Sequence, residues 1–133
     1  MNDLRAQCAA AYKRKVEGAL IDAVRTLALD ASAGIVLATP VKSGRARANW
    51  NVSVNRIDYT VTANTTASDI LGRAGAATAD IRLTDTFYLT NNLPYIRRLN
   101  NGYSKQAPAM FVEKAVMVAK NRAKRNIKTE VRG

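Results

Sequence analysis

Ten carboxylates, one thiol and no histidine are what this 133-residue sequence offers to acid–base, nucleophilic or metal chemistry. Imidazole is the common base at neutral pH and the commonest metal ligand, so its absence removes most catalytic triads and most transition-metal sites. Cys8 has no second cysteine to pair with and no histidine to draw off its proton. Lying between Ala6 and Ala11, it reads as a small buried residue of a helix. Asp22, Asp30, Asp69, Asp80 and Asp85 are scattered, with no spacing that sets two on one buried face, and read as caps and solvated groups. Gly72-Arg73-Ala74-Gly75 lacks the Gly-Lys-Ser/Thr ending and the preceding buried strand of a phosphate loop. The expectation is a protein that is not an enzyme and holds no metal and no cofactor.

What the sequence does offer is positive charge. Twenty-one Lys and Arg stand against ten Asp and Glu, a net charge of +11. Residues 1–40 carry +1 and residues 57–92 carry −2, whereas residues 42–56, 93–112 and 113–133 carry +4, +3 and +5. The first excess is an arm holding Arg45 and Arg47. The last is a tail holding Lys114, Lys120, Arg122, Lys124, Arg125, Lys128 and Arg132 against Glu113 and Glu130. Such segments draw DNA phosphates regardless of sequence, or the acidic face of another protein, or stand solvated. No groove-reading motif points to base-specific contacts. In an extended or irregular arm Arg45 and Arg47, two apart, would point to opposite sides; the other reading is an ordinary solvated loop.

These charges need elements to place them. Cys8, Tyr12, Val16, Leu20, Val24, Leu27, Ala31 and Ile35 recur at three and four, the stripe of an amphipathic helix over 3–38. Gly18 and Gly34 mark where it could bend or end, and Pro40 stops it at Thr39. The arm, 39–49, follows, with Ser43 able to cap a short turn and Gly44 permitting the reversal. Trp50, Val52 and Val54 alternate with polar residues as a strand, Trp50 being its core anchor. Ile57, Tyr59 and Val61 extend the alternation as a second strand. Residues 69–79, rich in Ala, Thr and Gly, are a short helix or a loop. Thr86–Thr90 is a strand ended by Asn91-Asn92, completing a sheet with a loop insertion over 50–92.

In the last stretch, 93–129, Pro94-Tyr95 sets a turn and Tyr95 and Leu99 pack inward from a short helix. Gly102 ends that helix in a left-handed cap. A final helix starts near Pro108, a favoured first-turn residue, with Val112, Ala115, Val116, Ala119, Ala123 and Ile127 as its stripe, and frays after Thr129. The fold expected is α+β, a small antiparallel sheet packed by a long N-terminal and a long C-terminal helix, in one domain over 1–133. No run of 18 apolar residues spans a membrane, and the charged N-terminus with Asp3 and Glu17 is not a signal peptide.

Two stretches carry more than composition. One is Thr39-Pro40-Val41-Lys42-Ser43-Gly44-Arg45-Ala46-Arg47-Ala48-Asn49-Trp50. The other runs from Tyr88 through Asn91-Asn92-Leu93-Pro94-Tyr95-Ile96-Arg97-Arg98-Leu99-Asn100-Asn101-Gly102 to Gln106-Ala107-Pro108. In this order and spacing they resemble the tail-completion or neck proteins of long-tailed bacteriophages, the minor tail protein Z-like family. Lys42-Ser43 stands where that family carries Asp-Thr, Ala46 where it carries Leu, and Asn100 where it carries Glu. The resemblance implies a non-enzymatic homo-oligomeric ring, a hexamer or dodecamer. Such a ring would sit between the head-side portal and adaptor and the tail terminator or tail tube, around the channel for genomic DNA. It also implies a virion location at the head–tail interface and synthesis in the host bacterial cytoplasm. The alternative from the charge alone is a sequence-neutral basic DNA-binding protein.

Overall fold

A computed structural model of the chain describes residues 3–41, 44–62, 65–102 and 109–132. Asp3 caps the first helix, its carboxylate accepting from the Arg5 amide, and α1 then runs unbroken from Leu4 to Ala38. At 1.5 Å per residue its 35 residues span about 52 Å. Thr39 leaves the helical region at φ −64°, ψ 130°, as Pro40 requires. Gly18 and Gly34 neither bend nor end α1.

Gly44, at φ +73°, makes the reversal. It leads into a single helical turn, α2 (Arg45–Ala48), where an irregular arm is expected; Ser43 lies outside the described residues. Strand β1 (Trp50–Val54) pairs antiparallel with β2 (Phe87–Asn91), Trp50 opposite Asn91 and Val52 opposite Leu89. Between them lies α3 (Ala67–Thr78), opened by a reciprocal capping box of Thr66 and Asp69. After β2 come a turn at Pro94-Tyr95, the short α4 (Ile96–Asn100) and α5 (Phe111–Arg132). The mixed α+β fold, with long terminal helices packed on each other and on a two-stranded sheet, is as expected.

The second strand at Ile57–Val61 does not form. Thr90 and Asn92 side chains donate to the Asp58 carbonyl, and Asn51 and Asn92 to that of Thr60. Side chains thus take acceptors that a ladder would need. Nor does α5 stop at Thr129; helical backbone continues to Arg132. It begins at Phe111, and Pro108 lies outside the described residues.

The core joins four elements: Ile35 and Val36 of α1, Trp50 of β1, Ile70 of α3 and Phe111 of α5. Helices α1 and α5 are antiparallel, since Gly34 meets Ala115 and Asp30 meets Arg122. A Cβ at Gly34 would lie 3.1 Å from that of Ala115, so glycine is what lets the two backbones approach there. Gly34→Ala gains about 1 kcal/mol of helix propensity against that tight contact and is expected within about 1 kcal/mol of the parent. Gly34→Val is expected to lower stability by about 1–3 kcal/mol in urea unfolding, because its branches force the helices apart. Equal stability for the valine variant would refute the close crossing.

The N-terminal part of α1 behaves differently. Residues 3–15 are exposed at every position, and Ala19 is the first buried residue. Cys8 is exposed rather than buried, and Tyr12, counted in the stripe, is 62% exposed. Of the eight stripe residues only Ile35 is buried; Val24, Leu27 and Ala31 are half-buried and Leu20 is 37% exposed. The face that α1 turns to the body is thus the mostly small-residue one of Ala19, Ala23, Ala28, Ser32, Ile35 and Val36. About four turns of helix project beyond the body.

Candidate functional site

The two sequence motifs meet in space. The first closes on itself: the Trp50 indole Nε1 donates to Thr39 Oγ1 at 2.8 Å, and that hydroxyl donates to the Ile35 carbonyl at 2.7 Å. Trp50 is 6% exposed, so the indole is the core anchor the sequence suggests. Pro40 is buried beside it. Asn49 is fully buried, its Nδ2 donating to the Arg45 carbonyl and its Oδ1 accepting from the Thr62 amide. The second motif docks here. Asn91, opposite Trp50 in the ladder, donates from Nδ2 to the Ala46 carbonyl at 2.8 Å.

At the far end of the second motif, Gly102 takes φ +91° as the expected left-handed cap of α4, and a Cβ there would meet that of Ala109 at 3.1 Å. Asn100 then clasps the start of α5. Its Oδ1 accepts from the Val112 amide at 3.0 Å, and its Nδ2 donates to the Glu113 carboxylate at 2.9 and 3.0 Å. Pro94 is exposed in its turn, and Tyr95 is only half-buried. Ile96 and Leu99, not Tyr95, pack against the core, because α4 starts one residue after the tyrosine.

Around this hub the acids act as local acceptors. The Thr60 hydroxyl and amide hold the Asp58 carboxyl below its ordinary 3.8, the Thr66 amide and hydroxyl do so for Asp69, and the Asn55 side chain with the Arg82 amide for Asp85. All three shifts favour the ionised form, opposite to what a general acid requires. Among the described residues no three acids and cysteines gather as a metal site, and no helix is long and apolar enough to cross a membrane.

The cations do not form one patch. Arg47 is turned inward, its Nη2 donating to the Leu37 carbonyl at 2.6 Å, so it satisfies the C-terminus of α1 instead of facing a channel. Arg45 is exposed on the same turn. Arg122 reaches back to Asp30 at 3.0 Å and ties α5 to α1. Lys114, Lys120, Lys124, Arg125 and Lys128 are all exposed on α5. They run along the helix axis from about 4.5 Å (Lys114) to about 26 Å (Lys128) from Phe111, which packs in the core with Ile35, Val36 and Trp50.

Two surfaces escaped the sequence reading. One is the projecting start of α1. The other is a groove of about 420 Å³ near the opposite end of the α1/α5 pair, lined by Ala33, Leu37, Phe111, Ala115 and Val118 with Lys114 on its rim. Leu37 and Val118 are 55% and 58% exposed there. The signal available was the length of the first helix, 35 residues against the 22 of α5. Compared with protein-family models, curated proteins and solved structures, the chain gives no significant match.

Proposed function

We propose that this chain is a structural subunit of a phage head–tail connector, a neck or tail-completion protein. Its copies would form a sixfold or twelvefold ring between the head-side portal and adaptor and the tail terminator or tail tube, around the DNA channel. The phage assignment rests on the two motifs. The ring rests on one observation, the projecting N-terminal part of α1.

A helix of this length is marginal in water on its own and gains nothing from the body of its own chain. It nevertheless carries Leu4, Cys8, Ala11 and Tyr12 at i, i+4, i+7 and i+8, an exposed apolar stripe on which none of the described residues packs. The exposed groove by Leu37 and Val118 lies toward the other end of the same helix pair. Two unlike apolar surfaces at opposite ends are what head-to-tail association needs, and such contacts give a ring when the rotation between copies closes. A stand-alone DNA binder would have no use for either surface.

Cys8, the single thiol, lies within the projecting segment and reports on it directly. Maleimide labelling of Cys8 is expected to be rapid in the isolated full-length chain and strongly suppressed in assembled particles. Equal labelling in the two states would overturn the ring reading.

A further inference from the structure

We propose that the outward face of α5 is a sequence-neutral binding strip for duplex DNA, made by Lys114, Lys120, Lys124, Arg125 and Lys128. At 100° per residue these five fall within an arc of about 140°, on the side away from the buried Ala119 and Ala123. None has an acidic partner among the described residues; the ion pairs found there are Lys13–Glu17, Asp22–Arg25 and Asp30–Arg122. The one described carboxylate on the same arc, Glu113, is occupied by Asn100.

The spacing adds to this. Lys120, Lys124 and Lys128 stand at successive i,i+4 positions, where like charges destabilise a helix by a few tenths of a kcal/mol per pair. Attraction between α5's C-terminal dipole and cations accounts for charge in the last turn but not for Lys114 or Lys120. A polyanion relieves that repulsion. From Lys114 to Lys128 the face runs about 21 Å, the length of about six base pairs.

Duplex DNA fits better than an acidic protein. Protein interfaces are depleted in lysine and enriched in aromatic residues, Met and Arg. Four of these five cations are lysines and no aromatic residue lies on the arc, which holds one exposed apolar side chain, Met117. Phosphates need only point charges, and no side chain here is arranged to read bases. The strip acts whether or not the chain closes into a ring, and within a ring it is the face that belongs toward the channel.

The test is fluorescence anisotropy of the full-length chain on a labelled duplex of random sequence. Five phosphate contacts predict a log–log salt slope near −4.5, hence an affinity about 500-fold weaker at 200 mM than at 50 mM salt. Replacing Lys120, Lys124 and Lys128 together by Gln, which keeps helix propensity, is expected to bring the slope to about −1.8 and that ratio to about tenfold. A variant with Arg56, Arg97 and Arg98, exposed and outside α5, changed to Gln has the same net charge and is expected to keep the parent slope. Equal losses in both variants would overturn the strip in favour of net charge alone. Displacement of the duplex by polyglutamate at equal or lower charge concentration would overturn it in favour of an acidic polypeptide. A chain lacking residues 1–16 is expected to bind DNA normally, so failure of the ring and failure of the strip read out separately.

Discussion

Trp50→Ala is expected to remove about 3–5 kcal/mol of stability, the cost of deleting a large buried aromatic. A domain of this size holds about 5–15 kcal/mol in total, so the variant should be partly unfolded at physiological temperature. Two losses combine. The ring leaves a void between Val36, Ile70 and Phe111, the residues contributed by three different helices. The link from Nε1 to Thr39 Oγ1, which closes residues 39–50 into a loop, also goes. Trp50→Phe separates them: it keeps most of the packing and removes the indole donor, so about 1–2 kcal/mol is expected. Thr39→Val does the reverse, leaving the indole N–H buried without an acceptor, at about 1–3 kcal/mol.

Combining Trp50→Phe with Thr39→Val should cost less than the two singles together, because the second change removes a partner already lost. Urea unfolding with an unchanged dependence on denaturant is the measurement. If Trp50→Ala costs less than about 1 kcal/mol, the indole does not anchor the sheet to α1, and its place is at a subunit contact.

Much of this was legible because local rules and tertiary packing agree. The break at Thr39-Pro40, the alternation from Trp50 to Val54, the strand before Asn91-Asn92 and the cap at Gly102 each follow from one backbone preference that the fold leaves undisturbed. Helix α3 was harder, because Ala, Thr and Gly dominate it. Its readable signals were Thr66 and Asp69 at capping-box spacing and Ile70, Ala74 and Thr78 at intervals of four. Phe111 was missed because the apolar stripe was read from Val112, one residue after the real start of α5.

Other features lie beyond any local rule. Periodicity shows that Cys8 and Tyr12 share a face, but not whether this chain supplies a surface to cover it. Alternation at Ile57, Tyr59 and Val61 meets the pattern of a strand, yet carboxamides and hydroxyls from 32 to 34 residues away claim its carbonyls. The same holds for the arginines. Charge along the chain gives Arg45 and Arg47 equal standing, and only the approach of α2 to the end of α1 turns Arg47 onto the Leu37 carbonyl.

Removing residues 1–16 is expected to leave the folded body intact and to abolish assembly. Among the described residues removed, 3–16, every one is exposed except the half-exposed Val16 near the first packed turn. Changes of that kind stay within about 0.5 kcal/mol, so the melting temperature should move by no more than about 2 °C. Assembly is another matter. Leu4 and Tyr12 are 71% and 62% exposed in the isolated chain, and burying such side chains against a neighbour contributes about 1.5–3 kcal/mol each. Each contact thus accounts for about ten- to a hundredfold in affinity between adjacent copies. Leu4→Ser with Tyr12→Ser should therefore weaken association by about two to four orders of magnitude while keeping the helix. Sedimentation of the purified chain beside a count of its copies in particles measures both effects. A truncated chain that melts many degrees lower would make the projecting helix part of the body. One that still enters particles in full number would move the ring contact elsewhere on the surface. A stable monomer that no longer assembles is the outcome the geometry calls for, because a chain with no internal use for four turns of helix has placed them where another copy can reach.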